Sequence, residues 1–205
     1  MKKLLLMAAV ALFTVGANAQ NTNREPGAFT IQPKVGIGIG SFTGEYTSAK
    51  GVDTKVRVGL AAGAEGEYYI NNWFSASLGA MYAMQGWKLD IAGETYTYKL
   101  DYVNIPLLAN FYVAKGLALK AGVQLGILAS AKREDVKVKD NFKSTAFSIP
   151  VGISYEYADF VLDARYNIPV SKISDGAHVI GTLVEIDNKI KNDYFLFTIG
   201  YKIQL

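Results

Sequence analysis

The chain has 205 residues, of which 50% are hydrophobic and only 19% charged, and it contains no cysteine. That length suits a single domain, and the missing thiols exclude a disulfide framework and cysteine chemistry. The formal charge is +3, but two of the 21 basic residues, Lys2 and Lys3, lie in an N-terminal leader, leaving 19 against 18 acidic residues and a net +1, too little to argue for nucleic acid or acidic lipid as a partner.

Residues 1–19 read as a cleavable signal peptide. Lys2 and Lys3 precede an apolar core, Leu4 to Val15, and Ala17-Asn18-Ala19 supplies the small side chains of a cleavage site, so processing is expected before Gln20. An N-terminal membrane anchor is the alternative, for which the apolar core is short. Residues 20–27 are then a short polar lead, and residues 28–205 a single β domain.

From there the chain alternates with a period of two, which only a strand turns into two distinct faces. The first strand sets Phe29, Ile31, Val35, Ile37 and Ile39 against Thr30, Gln32, Lys34, Gly36, Gly38 and Gly40. After a polar loop, 43–53, the second sets Val56, Val58, Leu60, Ala62, Ala64 and Tyr68 against Arg57, Gly59, Ala61, Gly63, Glu65 and Glu67, and turns at Asn71-Asn72. The third shows Phe74, Ala76, Leu78, Ala80, Tyr82 and Met84 opposite Ser75, Ser77, Gly79, Met81 and Gln85, and breaks near Asp90 to Glu94. Val103, Ile105, Leu107, Ala109 and Phe111 form the fourth, in which Pro106 removes a ladder donor and predicts a bulge or strand end. Through Ala114-Lys115-Gly116 it enters a fifth strand, where Leu117 to Ala129 alternates with Ala118, Lys120, Gly122, Gln124, Gly126, Leu128 and Ser130.

A charged loop, 133–143, leads to the sixth strand, with Phe147, Ile149, Val151, Ile153, Tyr155 and Tyr157 opposite Ser148, Gly152, Ser154 and Glu156. Ala158-Asp159 returns into a seventh, with Leu162, Ala164, Tyr166 and Ile168 opposite Asp163, Arg165 and Asn167. The longest connection, 171–192, precedes an eighth strand with Phe195, Phe197, Ile199, Tyr201, Ile203 and Leu205 on one face and Lys202 on the other. About eight antiparallel strands joined by alternating long and short connections predict an up-and-down barrel, which leaves no unpaired edge.

A soluble, lipocalin-like barrel would turn the apolar face inward around a ligand; an outer-membrane barrel would turn it outward to lipid. The polar face decides for the membrane: it is poor in charge and rich in glycine, alanine and serine, which suits a crowded interior better than a water-facing wall. Each apolar face also runs for roughly ten residues, enough to cross hydrocarbon at a tilt. Aromatics gather near strand ends, Tyr68, Trp73, Phe74, Phe111, Tyr157 and Tyr201 by the short turns and Tyr82, Trp87 and Tyr166 toward the long loops, the pattern of two interfacial girdles. Outer-membrane lipid is thus the first expected partner, and barrel-assembly machinery the second, with both termini expected in the periplasm.

The YVNIPLL segment at Tyr102 to Leu108, the GLALKAGVQLGILASAK segment at Gly116 to Lys132, the leader and the terminal apolar alternation resemble the PorT-like outer-membrane β-barrel family of Bacteroidetes, a porin-family, OmpA/OmpX-like group of small barrels. The resemblance spans nearly all of the mature chain and implies an outer-membrane protein, in some members tied to secretion or uptake assemblies. An aromatic final residue is usual in such barrels, and Leu205 departs from it.

Inward charges are expected at Lys34, Arg57, Lys120, Arg165 and Lys202 and at Glu65, Glu67, Glu156 and Asp163. Similar numbers of each sign predict a filled interior of paired charges, not an open pore. For chemistry the chain offers little. His178, the only histidine, shares the longest loop with Ser174, Asp175 and Glu185, which would suit a lipid-modifying hydrolase, but these residue types are ordinary in loops. One histidine and no cysteine give no metal set, and the GxGxG of Gly36, Gly38 and Gly40 lies within a strand with no helix after it, so it is no nucleotide loop. No enzyme, cofactor or nucleic-acid partner is expected, and the long loops 43–53, 133–143 and 171–192 remain as the place for a protein partner.

Overall fold

A computed structural model describes residues 24–43, 52–91, 94–133, 136–137, 139, 142–172, 178–179, 185–186 and 191–205. Eight long strands appear among them: β1 (Phe29–Thr43), β2 (Val52–Asn71), β3 (Phe74–Ile91), β4 (Glu94–Ala114), β5 (Leu117–Arg133), β6 (Thr145–Tyr157), β7 (Phe160–Pro169) and β8 (Lys191–Tyr201). Each pairs antiparallel with its sequence neighbours, and β8 pairs with β1, so the sheet closes. Ile203–Gln204 continues the last strand against Thr30 and Ile31.

The closure has a definite stagger. Paired residues followed once around the ring run Phe29, Tyr68, Ala76, Ala109, Ala121, Val151, Tyr166, Phe195, and return to β1 at Ile39, ten residues beyond the start. Eight strands with that stagger tilt by about 35–45° and enclose a bore just wide enough for side chains to fill.

Burial follows the alternation. Val35 (57% exposed), Leu60 (64%), Leu107 (53%) and Val123 (58%) face outward, while Gln32, Lys34, Glu65, Lys120 and Arg165 are each under 5% exposed. Greasy outside and polar inside is inverted relative to a water-soluble barrel, because lipid hydrogen-bonds nothing and takes the apolar face. The long strands β2 to β5 rise past the others at the long-connection end, since β6 begins only at Thr145 and β7 stops at Pro169.

The short turns hold the other end: Asn72-Trp73, Lys115-Gly116 and Ala158-Asp159. The first lies one residue beyond the expected turn, held where the Trp73 N–H donates to Asn71 Oδ1 at 3.0 Å. Gly116 takes φ +75°, a conformation that favours glycine. Two further expectations change. Pro106 neither bulges nor ends β4: it pairs with Gln124 in unbroken register and faces Gly79, whose missing side chain gives its ring room. The bulges of this ladder lie elsewhere: Val113 is extra on β4 beside the turn, and on β5 Tyr102 pairs with Leu128 but Asp101 with Ser130, leaving Ala129 extra and turning Ala131 inward.

Candidate functional site

Among the described residues the buried charged side chains lie inside the barrel, in layers. Nearest the short turns, Glu67 and Glu156 share the Tyr112 hydroxyl, which lies 2.6 Å from one and 2.7 Å from the other and has one proton to give. Glu67 also accepts from Gln32 Nε2 at 2.6 Å and from the Ser75 hydroxyl. Lys202 donates to Glu156 and to the Tyr69 hydroxyl, and its Nζ lies 3.8 Å from Glu67.

Arg24, from the polar lead, completes this layer. Its guanidinium pairs with Glu156 at 3.2 Å and stacks 3.9 Å over the Tyr112 ring, so the lead reaches into the barrel mouth. The Gly27 N–H anchors the segment by donating to the Tyr69 carbonyl at 2.8 Å. Two carboxylates therefore meet two cations at this end.

One inward step along β2, Glu65 heads a second layer. Its oxygens lie 2.9 Å from Lys120 Nζ and 3.2 Å from Lys34 Nζ, and Arg165 donates to it as well. Asp163 accepts from Arg165 Nε at 2.6 Å, Lys120 at 3.0 Å and Lys34 at 3.4 Å. Five residues from β1, β2, β5 and β7 thus cross-link opposite walls, and all are under 5% exposed. Three cations against two carboxylates leave the layer one positive charge in excess.

Above it the lining becomes mostly uncharged. Gln85, Asn104, Gln124 and Asn167 face inward, and Ala61, Met81, Ala83, Tyr194 and Leu196 pack together in one cluster. At the long-connection end the interior becomes apolar: Trp87 stacks on Tyr98 at 5.3 Å, with Leu100, Tyr102, Leu128 and Ala131 around them and Phe142 edge-on to the indole.

The sequence-derived set divides accordingly. Lys34, Glu65, Lys120, Asp163 and Arg165 converge in one layer, and Glu67, Glu156 and Lys202 in the next. Arg57 stands apart from both, near the upper end of β2, where it donates to the Gln85 carbonyl and lies 4.0 Å from Asp101. Tyr68, Trp73, Phe111, Tyr157 and Tyr201 are exposed by the short turns, with Phe74 half-buried between Trp73 and Phe111, and Tyr82 is exposed toward the other end. Tyr166 packs on Phe195 at 4.4 Å on the outer wall.

Trp87 is the correction. It is 2% exposed and inside the barrel, because β3 runs on to Ile91 and carries the inward parity of Ser75 to Gln85 two residues further. Arg24 is not legible in the sequence, because nothing in a polar lead signals that it folds back. Ser174 and Asp175, and the side chains of His178 and Glu185, fall outside the described residues, as do residues 1–23. No group of three metal-ligating side chains occurs among the described residues.

Residues 18–175 match a family described as the outer membrane protein beta-barrel domain. No curated protein matches the chain. Among solved structures, Ail, the attachment invasion locus protein of Yersinia pestis, is 14% identical over 87% of this chain and 99% of its own, with a TM-score of 0.50. OprG of Pseudomonas aeruginosa is 13% identical over 88% and 98%, TM-score 0.50. Neisserial surface protein A is 13% identical over 85% and 97%, TM-score 0.51. At such identity the likeness is one of fold.

Proposed function

The chain belongs to the outer membrane protein beta-barrel domain family, and from that we propose that it is a closed scaffold, its termini in the periplasm, that holds its long connections at the cell surface for a protein partner. The observation that carries this reading is the pair of ion-paired layers. They fill the bore with side chains bonded wall to wall, so the barrel is built to stand in lipid and not to pass solutes. On the other side of the band β2 to β5 rise beyond it, a rigid support for whatever the loops recognise. Outer-membrane lipid and, during insertion, barrel-assembly machinery are the partners such a wall requires. The resemblance to PorT-like barrels supports a partner within a secretion or uptake assembly.

Cross-linking on intact cells tests this. A photo-reactive residue in the 133–143 or 171–192 connection is expected to capture a protein, and one at the Lys115-Gly116 turn is not. Capture only at the turn reverses the orientation; capture at neither removes the surface role. In planar bilayers the purified barrel is expected to show no steady conductance, and a stable open channel overturns the closed scaffold.

A further inference from the structure

Between the ion-paired layer and the aromatic cluster lies a void of about 30 Å³. That is room for about two ordered waters, or one uncharged molecule of about four heavy atoms. Its lining is unusual in one respect. Among the described residues, Tyr102 Oη, Tyr194 Oη, Asn167 Oδ1 and Asn192 Oδ1 find no hydrogen-bond partner, and all four residues line this same space. Tyr102, Asn167 and Tyr194 are each 2–3% exposed, so bulk solvent does not serve them. Orphaned buried polar atoms are costly and scarce, and here they come from three strands, β4, β7 and β8, and gather at one void.

The surroundings restrict what can enter. Asn192 Nδ2 donates to Gln85 Oε1 at 2.6 Å across the bore, a bridge between β8 and β3. One inward step below Asn167 on β7 is Arg165, whose layer carries excess positive charge and repels a cation. The space reaches the rim where β6 begins and β7 ends, since Phe147, 55% exposed on the outer wall, and Ser171 also border it. On β1 the room left by Gly38 is taken by the end of the Tyr194 ring, which a Cβ there would overlap.

We propose that this chamber is a binding site for a small uncharged molecule that both donates and accepts hydrogen bonds, an amide or alcohol, with water in its place at rest. The two hydroxyls supply donors and the two amide oxygens demand them, which a neutral donor–acceptor satisfies and a carboxylate does not. The site is independent of any partner at the loops.

Acetamide titration into the isotope-labelled barrel in nanodiscs, read by NMR at side-chain amides, tests the assignment. Saturable shifts are expected at Asn167 and Asn192 and none at Asn110, whose amide already donates to Ser75 and Ser77 at 3.0 and 3.2 Å. The Tyr102→Phe/Tyr194→Phe variant removes both hydroxyls with little change in volume, and its affinity is expected to fall at least fivefold. Without acetamide, magnetisation should pass from water to the Asn167 and Asn192 amides. Absence of shifts there, unchanged affinity in the double variant, a dry chamber, or equal binding of sodium acetate each overturns the proposal.

Discussion

Glu65→Gln is the most exacting test of the interior. The substitution keeps shape and volume but removes one of the two carboxylates that balance Lys34, Lys120 and Arg165, leaving Asp163 alone against three buried cations. Breaking a buried ion pair by neutralising one partner costs about 3–5 kcal/mol, because the remaining charges lie beyond the reach of water. With a urea slope of about 3 kcal/mol/M the unfolding midpoint of the barrel in liposomes should fall by roughly 1–2 M. A second change, Lys34→Met, restores the original excess of one positive charge, and Glu65→Gln/Lys34→Met is expected to recover more than half the loss. The assay is urea unfolding followed by tryptophan fluorescence, with gel mobility before and after boiling to confirm that the variants still close. A midpoint change below about 0.5 M, or a double variant as unstable as the sum of its parts, would refute the idea that this layer is an ion-paired cross-link.

The two tryptophans should separate cleanly. With Trp87→Phe the remaining Trp73, 57% exposed, is expected to be quenched by brominated lipid, whereas with Trp73→Phe the remaining Trp87 is not; quenching of Trp87 would return it to the outer girdle. At the short-turn end Arg24→Met and Lys202→Met should each cost about 1 kcal/mol, because Glu156 keeps one cation in either case. Together they should cost about 3 kcal/mol or more, as both carboxylates lose their partners, and simple additivity in urea melts would count against a shared layer. Tyr112→Phe leaves Glu67 and Glu156 facing each other without the hydroxyl between them; a loss of about 2 kcal/mol is expected in the same melts, and a neutral outcome would mean that water replaces it.

The legible and the illegible differ by the range of the interaction. Lys34, Glu65, Lys120, Asp163 and Arg165 could each be assigned inward from their own strand, since in a strand parity is a local property and the next residue always takes the opposite face. That they form one layer, while Glu67, Glu156 and Lys202 form another, depends on how far each strand slides past its neighbour. Trp87 shows the same limit: its parity agrees with Gln85, but its place near the long loops suggests the outer girdle, and only its stacking on Tyr98 of β4 shows the ring inside the bore.

The sequence by itself determined the architecture: an even set of alternating strands, greasy on one side and small and polar with few charges on the other, can satisfy its backbone in lipid only by closing on itself. The tertiary structure decided what the bore contains. A stagger of ten residues around the ring brings Glu65 to Lys120 and Arg165 from strands far apart in the chain and leaves the Asn167, Asn192, Tyr102 and Tyr194 groups around an unfilled space, while the lead before β1 folds Arg24 back onto Glu156. The reason is geometric, since alternation fixes which side of the wall a residue occupies, whereas its height along the bore is set only when the last strand pairs with the first.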